Sequence, residues 1–186
     1  RGEGDAERYR QFCVGRARVL ANGDAAAAPA VHYPAATVIG RAAPGALIYF
    51  IAAREAGQPV ENPRQVSAFR YPTQYSPQPP SFSRAMRTPW DHLMVSGTAA
   101  VVGHATMHPH DAAAQLEETA RNVEALLNTA GGEWAPLRAK LYLRPGSQLP
   151  PDAERRLPLM RGATVLEGTV CRADLTVEIE ALFARN

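Results

Sequence analysis

Two glutamates near the end of the chain, Glu178 and Glu180, stand where they could act as acids or bases. They alternate with apolar residues over 175–181, which is the two-residue period of a strand that buries one face. Both carboxyl groups therefore share the face that points away from the apolar set. If a neighbouring surface buries that face, the pKa of Glu178 rises and its protonated carboxyl can donate a proton. If the face is open, the pair is an ordinary set of solvated carboxylates.

Arginine supplies nearly all of the positive charge, because Lys140 is the only lysine in the chain. The planar guanidinium forms paired hydrogen bonds with a carboxylate, so this bias suits an acidic ligand. Three histidines lie close together at positions 104, 108 and 110. Pro109 separates two of them and breaks any helix, and no further ligand stands at a zinc-site spacing, so we predict no metal site.

The composition excludes several classes of function. The 186 residues include 20 Lys+Arg and 18 Asp+Glu, and a formal net charge of +2 gives no strong basic field for nucleic acid. No run of about 18 apolar residues occurs, so we predict no membrane span. The two cysteines are too few for a disulfide scaffold, and no basic-then-apolar leader opens the chain, so we expect a cytoplasmic protein.

The patterning along the chain predicts the α+β scaffold that must position these groups. Helical spacing over 5–21 and 111–130 predicts two helices, the second with an N-cap at Asp111 and a stop at Gly131. Six prolines within 57–80 exclude a regular helix or central strand there and predict a packed loop. Short apolar runs predict strands at 36–40, 47–53, 93–97, 137–143, 163–168 and 175–183.

Two parts of the sequence resemble each other at a distance of about 128 residues, from position 47 to position 175. In both, a short strand (36–40 or 163–166) precedes a longer one (47–53 or 175–181), and the offset is a plausible domain length. The first copy carries Phe50 where the second carries Glu178. The repeat predicts that 1–62 is the rear of an N-terminal unit whose front is absent, 63–80 a proline-rich linker, and 81–186 a complete unit with the active site. Two unrelated hairpins would give the same pattern.

The stretch 93–183 resembles a RidA/YjgF-type unit. The segments that carry the resemblance are Val95-Ser96-Gly97, the helical run 115–127, Ala130-Gly131-Gly132, Lys140-Leu141-Tyr142-Leu143 and Val177-Glu178-Ile179-Glu180-Ala181. The resemblance implies an α+β unit with a sheet on one face and helices on the other. It also implies a trimer-like association of units, with sites in the clefts between them.

Further motifs resemble the chorismatases, which are built from two RidA-like halves. These motifs are the run 61–68, Arg70-Tyr71-Pro72, the run 80–85, Ser96-Gly97-Thr98-Ala99 and Val102-Gly103-His104. The resemblance implies a cofactor-free conversion of chorismate to pyruvate plus 3-hydroxybenzoate or a dihydroxycyclohexadiene carboxylate. It also implies a monomer of two halves or a trimer-like assembly.

The chorismatase resemblance assigns roles to the charged residues. It places the catalytic acid at Glu178, which would protonate the methylene carbon of the enolpyruvyl group. Because chorismate carries two carboxylates, we expect about two arginines in the site, and we choose Arg84 and Arg144.

Four further residues are candidates for the walls of the substrate pocket. The phenols of Tyr71 and Tyr142 could bind a carboxylate or hydroxyl, although core packing would also account for either ring. The resemblance places Cys171 and Ala85 in the pocket, and a cysteine there is associated with the hydroxybenzoate-forming subtype.

Two alternatives stay open on the sequence. The first is an imine or enamine deaminase of the RidA type. Alignment on the 177–181 strand puts Ala163 where those proteins carry a carboxylate-binding arginine, with Arg161 two residues away, which disfavours that activity. The second alternative is a non-catalytic binding or assembly module on the same fold.

Overall fold

A six-stranded sheet with one long helix packed on one face organises the chain in a computed structural model that describes residues 7–22 and 33–186. The strands lie in the order β1-β2-β3-β8-β6-β7, and every neighbouring pair is antiparallel except β6 and β7. A small β4-β5 hairpin stands apart. In chain order the elements are α1 (Arg8–Asn22), β1 (Gln58–Val60), β2 (Ala85–Arg87), β3 (His92–Thr98), β4 (Val101–Val102), β5 (Ala105–Thr106), α2 (Ala112–Ala130), β6 (Trp134–Leu143), α3 (Ala153–Arg156), β7 (Thr164–Glu167) and β8 (Val177–Arg185).

Helix α2 forms where the sequence predicts it because both of its ends are capped and one face is apolar. The Asp111 side chain accepts a 3.0 Å hydrogen bond from the Ala114 amide at the N-terminus. Gly131 ends the helix with a φ of +67°, a conformation that glycine adopts without steric cost. The buried face packs on the sheet and forms one core with it, which includes Leu116, Val123, Leu126, Leu93, Leu141 and Phe183.

Strand β8 confirms the predicted alternation at the end of the chain. Val177, Ile179 and Ala181 belong to the core under α2. Glu178 and Glu180 therefore point to the opposite face of the sheet. What covers that opposite face decides their chemistry.

Residues 33–40, which we call the crossing segment, run over that opposite face. Two hydrogen bonds join it to β3, one from the Ala36 amide to Ser96 Oγ (3.0 Å) and one from the Gly97 amide to Thr37 Oγ1 (2.9 Å). The predicted strand at 36–40 is wrong, because the segment crosses β3 and β8, whose backbones are already paired on both sides. Only side-chain contacts and isolated bridges, such as Gly40 with Thr169, remain for it.

The predicted strand at 47–53 is also wrong, because these residues have no regular structure. Their apolar side chains are exposed, with Phe50 at 84%. In the second copy of the predicted repeat, β7 pairs with β6 and not with β8, so no hairpin forms there either. The repeat and the division of the chain at 62 and 80 stay predictions.

Helix α1 lies against the covered face, with Cys13 buried. It runs from Arg8, whereas the predicted start at Asp5 lies outside the described residues. Neither α1 nor any other helix in the described ranges is both long and apolar enough to cross a bilayer.

Candidate active site

A cavity of about 350 Å³ lies where α1, the crossing segment and the proline-rich loop meet the sheet. It is lined by Tyr9 and Cys13 from α1, by Ala36 and Val38 from the crossing segment, and by Gly97 from β3. Four of the residues predicted from the sequence also line it, namely Glu178, Arg84, Tyr71 and Cys171. The fold therefore brings together residues that are up to about 170 positions apart in the chain, such as Tyr9 and Glu178.

Glu178 is the buried acid of this cavity, with 5% of its surface exposed. Burial raises its pKa to about 8, because a carboxylate loses its hydration there. The like charge of Glu180 raises the pKa further, and the opposite charge of Arg84 lowers it. At neutral pH the carboxyl is mostly protonated, which is the form that a general acid requires.

Glu180 shares the same strand face and has the opposite electrostatics. Burial acts to raise its pKa, but hydrogen bonds from Lys140 and Thr37 outweigh burial and hold the pKa below its ordinary value. The Lys140 ammonium lies 2.5 Å from its Oε1 atom. The two glutamates are therefore divided into a protonated acid and a paired carboxylate, a division typical of acid–base sites.

Arg84 is almost completely buried and directly precedes β2. Its Nη2 atom donates to the Val66 carbonyl (2.8 Å) and to the Tyr71 phenol (2.7 Å). The guanidinium also lies 5.3 Å from the ring centroid of Phe82. These contacts hold the group in one orientation, while its Nε atom is buried with no hydrogen-bond partner in the protein.

Two other lining residues also carry buried polar atoms without a protein partner. Gln65 donates from Nε2 to the Val101 carbonyl (2.9 Å), but its Oε1 atom accepts no hydrogen bond. The Ser76 hydroxyl is likewise unpaired. Buried polar groups in proteins are nearly always hydrogen-bonded, so these atoms and Arg84 Nε indicate a polar ligand.

The charges around the cavity favour an anionic ligand. Four arginines line it, Arg10, Arg16, Arg84 and Arg172, against the two carboxyl groups of Glu7 and Glu178. Arg172 lies over the rings of Tyr75 (4.2 Å to the centroid) and Tyr71 (5.3 Å). With Glu178 protonated, the lining carries a clear positive excess, which suits a dicarboxylate.

Several of these residues were not predicted from the sequence. Arg172 directly follows a predicted pocket residue, and that adjacency was an available signal. Tyr9, Arg10 and Arg16 were visible only as part of a helix, and no local pattern places that helix over the sheet.

Cys171 lines the cavity, and its exposed surface faces the cavity within the protein. Burial and the nearby Glu178 raise the pKa of its thiol to about 12, more than the arginines beside it lower it. The group is therefore a neutral thiol at neutral pH and a poor nucleophile. Burial likewise raises the pKa of Tyr9, and Cys171, Cys13 and Glu178 add to the effect.

Three predicted site residues lie outside the cavity lining. Arg144 donates from Nε to the Leu175 carbonyl (2.6 Å) and from Nη2 to the carbonyls of Val170 and Arg172, so it holds the loop before β8. Ala85 is fully buried in the core under α2. Tyr142 faces Glu178 across the β6–β8 pair, but its phenol bonds to Glu180.

The histidines are divided among different partners. His104 Nδ1 lies 3.0 Å from the Tyr75 hydroxyl, and His108 lies beside Glu118. In the part of the chain that the structure describes, no three His, Cys, Asp or Glu side chains are grouped so that they could hold a metal ion.

Comparisons with known proteins show what this chain is similar to. Residues 1–52 match the family model described as "Chorismatase FkbO/Hyg5-like, N-terminal". A chorismatase of Streptomyces rapamycinicus is 40% identical over 96% of this chain and 58% of its own length. A 3-hydroxybenzoate synthase of Streptomyces hygroscopicus is 36% identical over 95% of this chain and 57% of its own length. The chain thus spans a little more than half the length of these curated relatives.

Solved structures give the same result. A crystal structure of a chorismatase matches 99% of this chain and 60% of its own chain, with a TM-score of 0.74 and 30% identity. A Rid-family protein from Yersinia pestis, at 15% identity and a TM-score of 0.52, shows the RidA-like fold over 70% of the chain. The α+β, RidA-like fold predicted from the sequence is therefore confirmed, and nearly the whole chain is similar to chorismatases.

Proposed function

We propose that this chain carries the site of a chorismatase, which converts chorismate to pyruvate and 3-hydroxybenzoate with Glu178 as the general acid. The observation that carries the proposal is a buried, protonated Glu178 in a cavity lined by four arginines. An enol ether is cleaved after protonation of its methylene carbon, and chorismate is a dianion at neutral pH. One cavity therefore holds both the acid for the bond and the charge for the substrate.

In the proposed reaction the Glu178 carboxyl gives its proton to the methylene carbon of the enolpyruvyl group. The methylene becomes a methyl group, and positive charge develops on the adjacent ether carbon. The Glu178 carboxylate that forms is then held next to that cation in a buried site, where charges interact strongly. Arg84 opposes the rise in the pKa of Glu178, so the same arginine also stabilises the carboxylate after proton transfer.

Two routes lead from this cation to products. Attack by water on the cationic carbon and loss of the ring alcohol give pyruvate and a dihydroxycyclohexadiene carboxylate, with one water consumed. Displacement of pyruvate by the ring's own hydroxyl, followed by aromatisation, gives pyruvate and 3-hydroxybenzoate with no net water consumed. We favour the second route, because Cys171 in the cavity wall is associated with that subtype and the 3-hydroxybenzoate synthase resembles this chain.

For substrate binding we propose Arg84 and Arg172 as the carboxylate-binding arginines, with Tyr71 next to both. The Tyr71 ring lies 5.4 Å from the Arg84 guanidinium carbon and 5.3 Å from that of Arg172. Both cations thus lie next to the same phenol ring, and each has donors for a carboxylate. Arg144 is left out of this set because backbone carbonyls occupy its guanidinium.

The test is a chromatographic product assay with chorismate, comparing the wild type with Glu178→Gln. We expect the variant to lose pyruvate release by roughly 10²–10⁴-fold, the usual contribution of a general acid. Glu124→Gln, on the exposed surface of α2, is the matched control and should retain the rate. The aromatic or diene co-product identifies the route.

Each negative result contradicts a different part of the proposal. A folded wild type that releases no pyruvate contradicts the chorismatase proposal for this chain, and turnover of 2-aminoacrylate would then favour the deaminase. Pyruvate release that survives Glu178→Gln contradicts the role of Glu178 while leaving the reaction in place. The diene diol as sole product contradicts the subtype alone.

A further inference from the structure

Gly97 lies directly beside the carboxyl group of Glu178. It stands on β3, next to the residue that pairs with Ile179, where the ladder between β3 and β8 is irregular. A Cβ atom built on Gly97 would be 2.0 Å from Glu178 Oε1 and 2.9 Å from its Cδ. No real Cβ comes so close to another heavy atom, so the carboxyl group and a side chain at position 97 exclude each other.

The backbone does not explain this glycine. The φ of Gly97 lies outside the left-handed range, so any residue could adopt its conformation. The space that Glu178 occupies is therefore the physical reason for glycine at this position. Gly15 on α1 is a useful contrast, since a Cβ there would meet nothing within 4 Å.

Thr37 of the crossing segment closes the same space from above. Its Oγ1 atom accepts the 2.9 Å hydrogen bond from the Gly97 amide, and its Cγ2 atom is 3.1 Å from the position of a Cβ on Gly97. The Thr37 hydroxyl also donates to Glu180. Because the hydrogen bonds formed by the described residues include none to the Glu178 carboxyl, packing against Gly97 and Thr37 sets its position.

We propose that Gly97 is a positioning residue for the acid. Because Gly97 has no side chain, it leaves a space that Thr37 covers, and this space holds the Glu178 carboxyl at the cavity wall. The proposal rests on the proposed function only for its catalytic consequence. The packing of Gly97 and Thr37 against the Glu178 carboxyl can be tested without any substrate.

The experiment uses Gly97→Ala, with Gly15→Ala as the matched control. Oε1 is the end of a flexible side chain, so Gly97→Ala should fold and move the carboxyl into the cavity. We expect the rate of pyruvate release from chorismate to fall by roughly 10²-fold, as for loss of a general acid. We also expect the pKa of Glu178, followed by carboxyl ¹³C NMR, to fall from about 8 toward its ordinary value as the group gains water. Gly15→Ala should change neither quantity.

A second measurement compares Tm values in two backgrounds, so it requires no enzymatic activity and does not rely on a single variant. Gly97→Ala should lower the Tm in the wild-type background by clearly more than in a Glu178→Ala background, where the clashing carboxyl is gone. Equal Tm losses in the two backgrounds, or an unchanged pKa of Glu178 in Gly97→Ala, would overturn the proposal. If the wild type releases no pyruvate, the proposed function fails, whereas the titration and the Tm cycle still decide the role of Gly97.

Discussion

Arg84 donates a 2.7 Å hydrogen bond from Nη2 to the phenol oxygen of Tyr71, which links the residue before β2 to the proline-rich loop. The ring of Tyr71 also lies 5.4 Å from the guanidinium carbon. The phenol therefore orients the arginine through both a hydrogen bond and its ring face. Arg84 is left with an unpaired Nε atom in a buried position.

Tyr71→Phe tests this orientation, because it keeps the ring and removes the acceptor. Losing one hydrogen bond to a charged group costs about 1.5–3 kcal/mol. We expect the KM for chorismate to rise by at least about tenfold with a smaller change in kcat, measured by pyruvate release. Tyr33→Phe, on a tyrosine outside the cavity lining, is the control. An unchanged KM in Tyr71→Phe would show that Arg84 does not depend on the phenol.

The pH dependence of the reaction follows from Glu178. Its pKa is raised to about 8, and the protonated form is the active one. We expect kcat to be constant below about pH 7 and to fall tenfold per pH unit above pH 8, measured over about pH 4–10. A fall centred near the ordinary carboxyl pKa of 4.5 would mean that Glu178 is ionised in the working enzyme.

The stability of the protein should depend on pH through the same group. The unfolded chain loses the Glu178 proton near pH 4.5, whereas the folded chain keeps it to about pH 8. The unfolded state thus binds fewer protons in this window, so this group lowers stability as pH rises from 4.5 to 8 and adds nothing further above 8. Glu178→Gln removes that penalty. Its Tm, measured by circular dichroism, should equal that of the wild type at pH 4 and exceed it at pH 9; the reverse order would contradict the raised pKa.

Arg144 is predicted to act on stability rather than on binding. Arg144→Ala leaves the carbonyls of Val170, Arg172 and Leu175 without their donor. We expect a cost of about 2–4 kcal/mol and a Tm lower by roughly 5–15 °C. Arg138→Ala, on the exposed part of β6, is the matched control and should have little effect. A raised KM for chorismate at an unchanged Tm would instead assign Arg144 to substrate binding.

Cys171 should be accessible yet unreactive. Cys171 lines the cavity and is exposed as a residue, but the pKa of its thiol is raised to about 12, so the thiolate fraction at pH 8 is very small. We expect iodoacetamide to alkylate Cys171 far more slowly than free cysteine at pH 8, measured by mass spectrometry of the intact chain. Glu178→Gln removes a charge that raises this pKa and should speed alkylation. Rapid labelling of the wild type would contradict a neutral thiol.

The elements that the sequence predicted best are those with strong local patterns and full burial on one side. Helix α2 has a capping aspartate, an apolar stripe and a terminal glycine, and the last strand has a strict alternation. The predicted strands at 36–40 and 47–53 were wrong, although their apolar, β-branched composition was just as strong. A strand needs an unpaired neighbour as well as a suitable composition, and β3 and β8 already have neighbours on both sides.

The sequence by itself determined that Glu178 and Glu180 face away from the core, because side chains alternate along any strand. Only the tertiary structure decided that these two carboxyl groups differ. Glu180 meets Lys140 and Thr37, whereas Glu178 lies beside Gly97 under the crossing segment and α1. Those contacts join residues far apart in the chain, and a pKa is set by burial and neighbouring charge, which no local pattern contains.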